Sequence, residues 1–259
     1  FQPAINPKSK WIAERSFMAS PSLIDINKDG HKDILIGNRN GHFYALNGKT
    51  GNVLWNHKAH VPSGFLGSSF ATNSHVFVVE SYGILHKFST KGRLLQRFSL
   101  DAKDTPQVVS MPMVNAQHTM VVGTTFSKEE SGLWTLRQHQ TESFDNVGKI
   151  SSSAILANID ALPDNEFVVI SESGWLYVMN HTGKKIAAFK LPSGAEASPL
   201  IADIDNDKRL ELVIALNNGY VYCYDLKSSG PISWGRFRAN PYNTGLQSDV
   251  LPEDGIHAS

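Results

Sequence analysis

Internal repetition limits what this chain can fold into more than any other feature. Five segments share one phrase, a turn glycine followed by an alternating apolar and aromatic run: NGHFYALNGKTG from Asn40, YGILHKFSTKG from Tyr82, SGLWTLRQHQ from Ser131, SGWLYVMNHTG from Ser173 and NGYVYCYDLKSSG from Asn218. Their glycines, Gly41, Gly83, Gly132, Gly174 and Gly219, recur at the spacing of about 40 to 50 residues that marks propellers and solenoids. A β-branched run precedes each phrase (DILIGN, HVFVVES, TMVVGTT, EFVVISE, LELVIALN), so every unit holds a hairpin. Upstream, each unit opens on serine at Ser20, Ser68, Ser110, Ser152 and Ser198, which suits an innermost strand crowded around an axis and places these serines at the channel entrance. Downstream lies a charged run, as in NVLWNHK, RLLQRFSL and KKIAAFKL, which suits an outer strand guarded against edge pairing.

Four strands per unit follow, and no stretch has helical 3.6-residue periodicity. The expected fold is all-β: a β-propeller of about five four-stranded antiparallel blades, near 20–61, 62–104, 105–147, 148–192 and 193–239, with six blades as the alternative. The run Lys10 to Phe17 reads as one more outer strand that closes the ring on the fifth blade, or as the remnant of a sixth. Residues 1–245 form one domain on this reading and 246–259 a tail.

Charge narrows the partners. With 24 basic against 24 acidic residues and no basic stretch, the field that concentrates a phosphate backbone is missing, so nucleic acid is excluded as the expected partner. No apolar run reaches the roughly 18 residues of a membrane span. The chain starts at Phe1 with neither Met nor leader, which reads as a mature or excised monomeric piece of a larger or secreted chain, periplasmic or extracellular. The single cysteine, Cys223, lies in the run YVYCY, where a buried, inert thiol is expected and no intrachain disulfide can form.

Two acidic turns carry metal-ligand spacing. Asp25, Asn27, Asp29 and Asp33 stand at positions one, three, five and nine, with the His31 carbonyl at seven; Asp203, Asp205, Asp207 and Glu211, with the Arg209 carbonyl, repeat the register. Calcium takes about six to eight oxygens, which such a turn supplies. The first loop is expected to bind more tightly, because Gly30 adopts a left-handed turn freely where the second loop has Lys208. The alternative is an acidic turn that hydrogen-bonds to itself. A third copy, Asn158, Asp160, Leu162 and Glu166, has an apolar residue in place of an oxygen and is expected to hold no metal.

These motifs carry family resemblances. Ala45 to Trp55, with Asn47 where Asp is usual, a Thr50-Gly51 turn and Trp55 four residues later, resembles the repeat of pyrroloquinoline-quinone-type propellers; Cys223, Asp225, Gly230 and Trp234 make a looser copy. The acidic turns resemble the calcium loops of FG-GAP or VCBS repeats, such as those of integrin α-subunit propellers. Together the resemblances span nearly the whole chain and imply a propeller with structural calcium.

An enzyme of the quinone-dependent oxidoreductase class is the alternative function, with its ligand in the central channel. Against it, the vicinal cysteine pair that several such enzymes carry needs two cysteines, and HExxH, GxSxG, P-loop and dinucleotide-glycine patterns are all absent. His57 and His60 are three apart, on opposite faces of a strand, and read as solvated outer-strand residues rather than zinc ligands. The leading expectation is a non-enzymatic scaffold that binds a protein or glycan.

A four-stranded meander sends its one-to-two and three-to-four links to one face, which therefore holds the acidic turns. Its two-to-three and inter-blade links go to the other. There the long segments bring Phe65, Asp101, Asp104, Phe144, Asp145 and Glu196 to the channel mouth as candidate binding residues.

Overall fold

A computed structural model describes residues 17–59, 63–100, 108, 110–115, 119–124, 132–137, 140–144, 147–160 and 162–235. Within them the chain is all-β. The first sheet holds β1 (Ser22–Ile24), β2 (Asp33–Gly37), β3 (His42–Leu46) and β4 (Val53–Lys58), and the second β5 (Phe70–Ala71), β6 (His75–Val79), β7 (Ile84–Ser89) and β8 (Leu94–Ser99). The third holds β9 (Met113–Val114), β10 (Met120–Gly123), β11 (Leu133–Arg137) and β12 (Gln140–Phe144). The fourth is built from β13 (Ile155–Ala157), β14 (Glu166–Ile170), β15 (Trp175–Met179) and β16 (Lys185–Lys190), and the fifth from β17 (Leu200–Ala202), β18 (Glu211–Ala215) and β19 (Val221–Asp225). Each is an antiparallel meander in chain order, the arrangement of propeller blades.

The second strands of the inner sheets, such as β6 and β14, carry apolar runs because both their faces are buried. In β14, Phe167 and Val169 enter the core shared with the second and third sheets, while Val168 and Ile170 enter the core shared with the fifth. In β6, Val76 and Val78 face the first sheet, and Phe77 and Val79 the third. A period of two across a sheet with neighbours on each side turns alternation into an unbroken hydrophobic run. Three cores thereby join the sheets consecutively from first to fifth. The ring-closing strand expected at 10–17 lies, but for Phe17, outside the described residues.

The serines that open the repeats precede the innermost strands. Ser68, Ser110 and Ser152 are buried, and Ser20 and Ser198 half-buried. Their hydroxyls hold backbone in place: Ser110 Oγ donates to the Gly123 carbonyl at 2.9 Å, Ser152 Oγ to that of Ile170 at 3.0 Å, and Ser198 Oγ accepts from Ser153 N–H across the joint between fourth and fifth sheets at 2.9 Å.

One strand departs from the repeat. The run expected as the fifth outer strand forms β20 (Ile232–Trp234), which pairs antiparallel with the innermost strand β13 of the fourth sheet. Pro231 accepts from Asn158 N–H and Gly235 from Ile201 N–H, so β20 bridges the inner strands of both sheets. Gly235 is required there, since a Cβ would lie 2.6 Å from the Ile201 carbonyl oxygen. Among the described residues, β19 is left as the outer edge of a three-stranded sheet. Cys223 is exposed, not buried as expected: it pairs with Val213 on the face of the sheet turned away from the core shared with the fourth sheet.

Candidate functional site

The three-to-four turns lie beside the one-to-two loops, as a meander requires. In the first sheet Asn47 Nδ2 donates to Asp29 Oδ2 and Gly48 N–H to Asp33 Oδ1. Asp33, fully buried, also accepts Ile26 N–H through Oδ2 at 3.0 Å. The same clamp recurs in the fourth sheet, from Ile159 N–H to Glu166, and in the fifth, from Ile204 N–H to Glu211. Because the 158–166 loop has it despite Leu162, the last acid of the pattern is first a device that closes the turn.

The two acidic turns then diverge. In the first, Asp25 accepts from Asp29 and Gly30 N–H, Asn27 from Asp29 N–H and Asp29 from His31 N–H, an Asx network closed on itself. The bond from His31 N–H, then that from Asn47, holds the Asp29 carboxyl below the ordinary aspartate value. In the second turn, Asp203, Asp205 and Glu211 each offer a ligand oxygen within 4.8 Å of one another, and Asp203 Oδ1 is buried without a hydrogen-bond partner. Asp207 is engaged by the Arg209 guanidinium, Nε at 2.7 Å, which lowers its pKa. Lys208 does take the left-handed backbone, at φ 71°, and in the first loop Lys28 at φ 61° joins Gly30 at φ 85°.

On the opposite face the candidate residues do not form one surface. Phe65 is fully buried, wedged against Phe43 and the imidazoles of His57 and His86, so it is core and not a contact residue. Phe144 is half-buried against the central core, and Glu196 is exposed. Asp101, Asp104 and Asp145 lie outside the described residues.

The sequence pointed at no groove, yet one opens between the fourth and fifth sheets. Its volume is about 580 Å³; Val168, Leu176, Ile201 and Leu212 form the floor, and Ile186, Phe189 and Tyr224 the exposed rim. Glu166 and Asp160 lie at one end, where burial raises the Glu166 carboxyl above its ordinary value, aided by the nearby charges of Asp160 and Asp164. Tyr220, just before β19 and 67% exposed, continues the row formed by Tyr222 and Tyr224, while Val221, 69% exposed, alternates to the opposite face of the strand. Nearby, β20 pairs with β13 rather than beside β19, a choice between two pairings that strand propensity does not encode.

Five meander sheets joined face to face, with Thr-Gly turns between third and fourth strands in the first and fourth sheets, define a propeller of the pyrroloquinoline-quinone repeat class. The PQQ_2 family model, described as outer membrane protein assembly factor BamB, matches residues 30–251, and the chain belongs to that family. The FG-GAP and VCBS resemblance rests on the two acidic turns alone. Among curated proteins none matches the chain.

Similar solved structures include BamB from Moraxella catarrhalis, at 18% identity and TM-score 0.55, covering 81% of this chain and 59% of that one. Sqt1 from Saccharomyces cerevisiae has 12% identity and TM-score 0.64, again over 81% and 59%. Quinohemoprotein alcohol dehydrogenase from Comamonas testosteroni has 11% identity and TM-score 0.58, over 86% and 43%. The chain thus spans under two thirds of the length of each of these structures. At such identities the likeness is one of fold, and fold does not fix function.

Proposed function

We propose that this chain is a non-catalytic scaffold that binds a protein partner in the periplasm or extracellular space, and that it does so at the open fifth sheet. The observation that carries this reading is the outer edge of β19, unpaired among the described residues, beside the apolar groove. An edge strand with free N–H and C=O groups is a template for an added strand, and exposed aromatic residues around a groove supply side-chain pockets. The family's description as an assembly factor for outer-membrane proteins, which are built from β-strands, supports an extended segment as occupant. The quinone-dependent enzyme is the weaker reading, since a single cysteine excludes the vicinal pair.

Cys223 gives the test a native handle. A fluorophore on Cys223 should report saturable binding of peptides copying outer-membrane β-strands, and Val221→Pro, which blocks strand pairing at the edge, should weaken it about tenfold or more. Binding unchanged by Val221→Pro would overturn strand addition at this site.

Calcium belongs to the same proposal as a stabiliser of the loop face. Asp203, Asp205 and Glu211 would hold it, with the unpartnered Asp203 Oδ1 as the oxygen most in need of a cation. Backbone N–H groups are accepted in both turns, and the first, which has no orphaned buried oxygen among its described residues, is the weaker site. Calcium at a hundredfold excess over its dissociation constant should stabilise the fold by about 2.7 kcal/mol. Asp205→Asn should remove most of that gain and Asp29→Ala little; equal melting temperatures in calcium and chelator would refute both sites.

A further inference from the structure

Two buried groups away from the acidic turns and the groove lack the partners that burial demands. Glu80, at the end of β6, and His86, on β7, are fully buried and meet at 2.6 Å between Glu80 Oε1 and His86 Nε2. Glu80 Oε2 and His86 Nδ1 have no hydrogen-bond partner. Around them stand Phe65 and Phe88, with His86 stacked on Phe88 at 5.7 Å. A carboxylate and an imidazole in an apolar, aromatic box, each with an unsatisfied atom, is a costly arrangement unless something completes it.

The third member comes from the neighbouring sheet. His57, on the outer strand β4, is half-buried, and its ring centroid lies 4.8 Å from that of His86. One ligand atom from each of His57, Glu80 and His86 falls within 4.8 Å of the others. Metal–ligand bonds of about 2.0–2.2 Å put neighbouring tetrahedral ligands roughly 3.5 Å apart, so small side-chain rotations close the set. Two imidazoles and one carboxylate suit a borderline transition metal rather than calcium, which takes oxygen ligands.

We propose that His57, Glu80 and His86 form a zinc-class divalent metal site that pins the first sheet to the second, with a water in the fourth position. His57, reading as a solvated residue with His60 as its only sequence neighbour, finds its partner 29 residues on, in the next blade. Ions reach the site past its half-exposed side. The surrounding phenylalanines exclude bulk water and strengthen the metal's electrostatic hold.

The test uses the full chain, stripped with chelator and titrated with zinc and with cobalt(II). One equivalent of cobalt should produce the visible absorption of a four-coordinate ion. Zinc at a hundredfold excess over its dissociation constant should raise Tm by roughly 5–10 °C. His57→Gln, at a half-exposed position that folding tolerates, should abolish the cobalt bands and weaken zinc binding roughly a hundredfold. Glu80→Gln keeps a hydrogen bond to His86 while removing the charge, and should weaken zinc as well. Asp205→Asn, in the acidic turn, should leave the zinc titration unchanged. Absence of cobalt bands in the wild-type chain, or bands that survive in His57→Gln, would overturn the site.

Discussion

The first and fifth sheets start from the same repeat and end differently. In the first, β4 completes the blade, and Trp55 Nε1 donates to the Thr90 carbonyl in the turn of the second sheet at 2.9 Å. In the fifth, the corresponding run, with Trp234 in the analogous place, crosses to β13 and leaves β19 as an edge. Both acidic turns accept their own backbone N–H groups, but the fifth keeps one carboxylate oxygen, Asp203 Oδ1, buried without a partner. A blade that completes its own pairing spends its polar groups internally; one that lends its last strand elsewhere keeps edge, groove and oxygen available.

Core truncation should separate the two sheets most. Phe88, fully buried at the joint of first and second sheets, contacts Phe43, Trp55 and the imidazoles of His57 and His86. Phe88→Ala should cost about 3–5 kcal/mol in chemical denaturation. Tyr222→Ala, on the half-covered β19, should cost about 1 kcal/mol or less, because little apolar area there leaves water on folding. Equal losses would mean that the fifth sheet is as well covered as the first.

A smaller effect tests the joint itself. Gly92, at φ +78°, underlies the Trp55 ring, and a Cβ would come within 2.5 Å of it; Gly219 has φ +86° but open space. Both substitutions to alanine carry left-handed strain of about 1 kcal/mol. Gly92→Ala should add a further 1–3 kcal/mol from overpacking, so its Tm should fall below that of Gly219→Ala. Identical Tm values would show that Trp55 does not hold the two blades together.

Much of this was legible in the residues. The repeat gave the number of sheets, and the meander rule assigned the faces that the contacts of Asn47 and Gly48 with the first acidic turn display. Strand identity follows a period of two, which local sequence records. Partner choice does not: β20 carries outer-strand residues yet pairs with β13, and Cys223 lies exposed on the face of its sheet turned away from the fourth-sheet core. The His57–Glu80–His86 cluster escaped for the same reason, since it joins neighbouring blades. Phe65 was misassigned because an inter-blade segment can turn an aromatic ring inward, and its sequence position says only that it lies between strands.

The smallest effect concerns the groove's acid. Burial against the apolar floor raises the Glu166 carboxyl above the ordinary glutamate value, outweighing the Ile159 N–H bond that lowers it. A carboxyl whose folded pKa is raised binds its proton more readily when folded than when unfolded. Its contribution is therefore most favourable at low pH and is lost as pH rises from about 4.5, the unfolded value, through the raised folded one. Glu166→Gln keeps an oxygen to accept Ile159 N–H but cannot titrate. Relative to wild type, the variant should gain Tm as pH increases across that window and run parallel above it. An apolar partner seated in the groove would desolvate Glu166 further and move the window upward, which a titration with and without bound strand peptide would detect. A wild-type minus Glu166→Gln difference that stays flat across this range would mean that water reaches the carboxyl freely, and that the joint between the fourth and fifth sheets is more open than the packing of Val168, Leu176 and Leu212 implies.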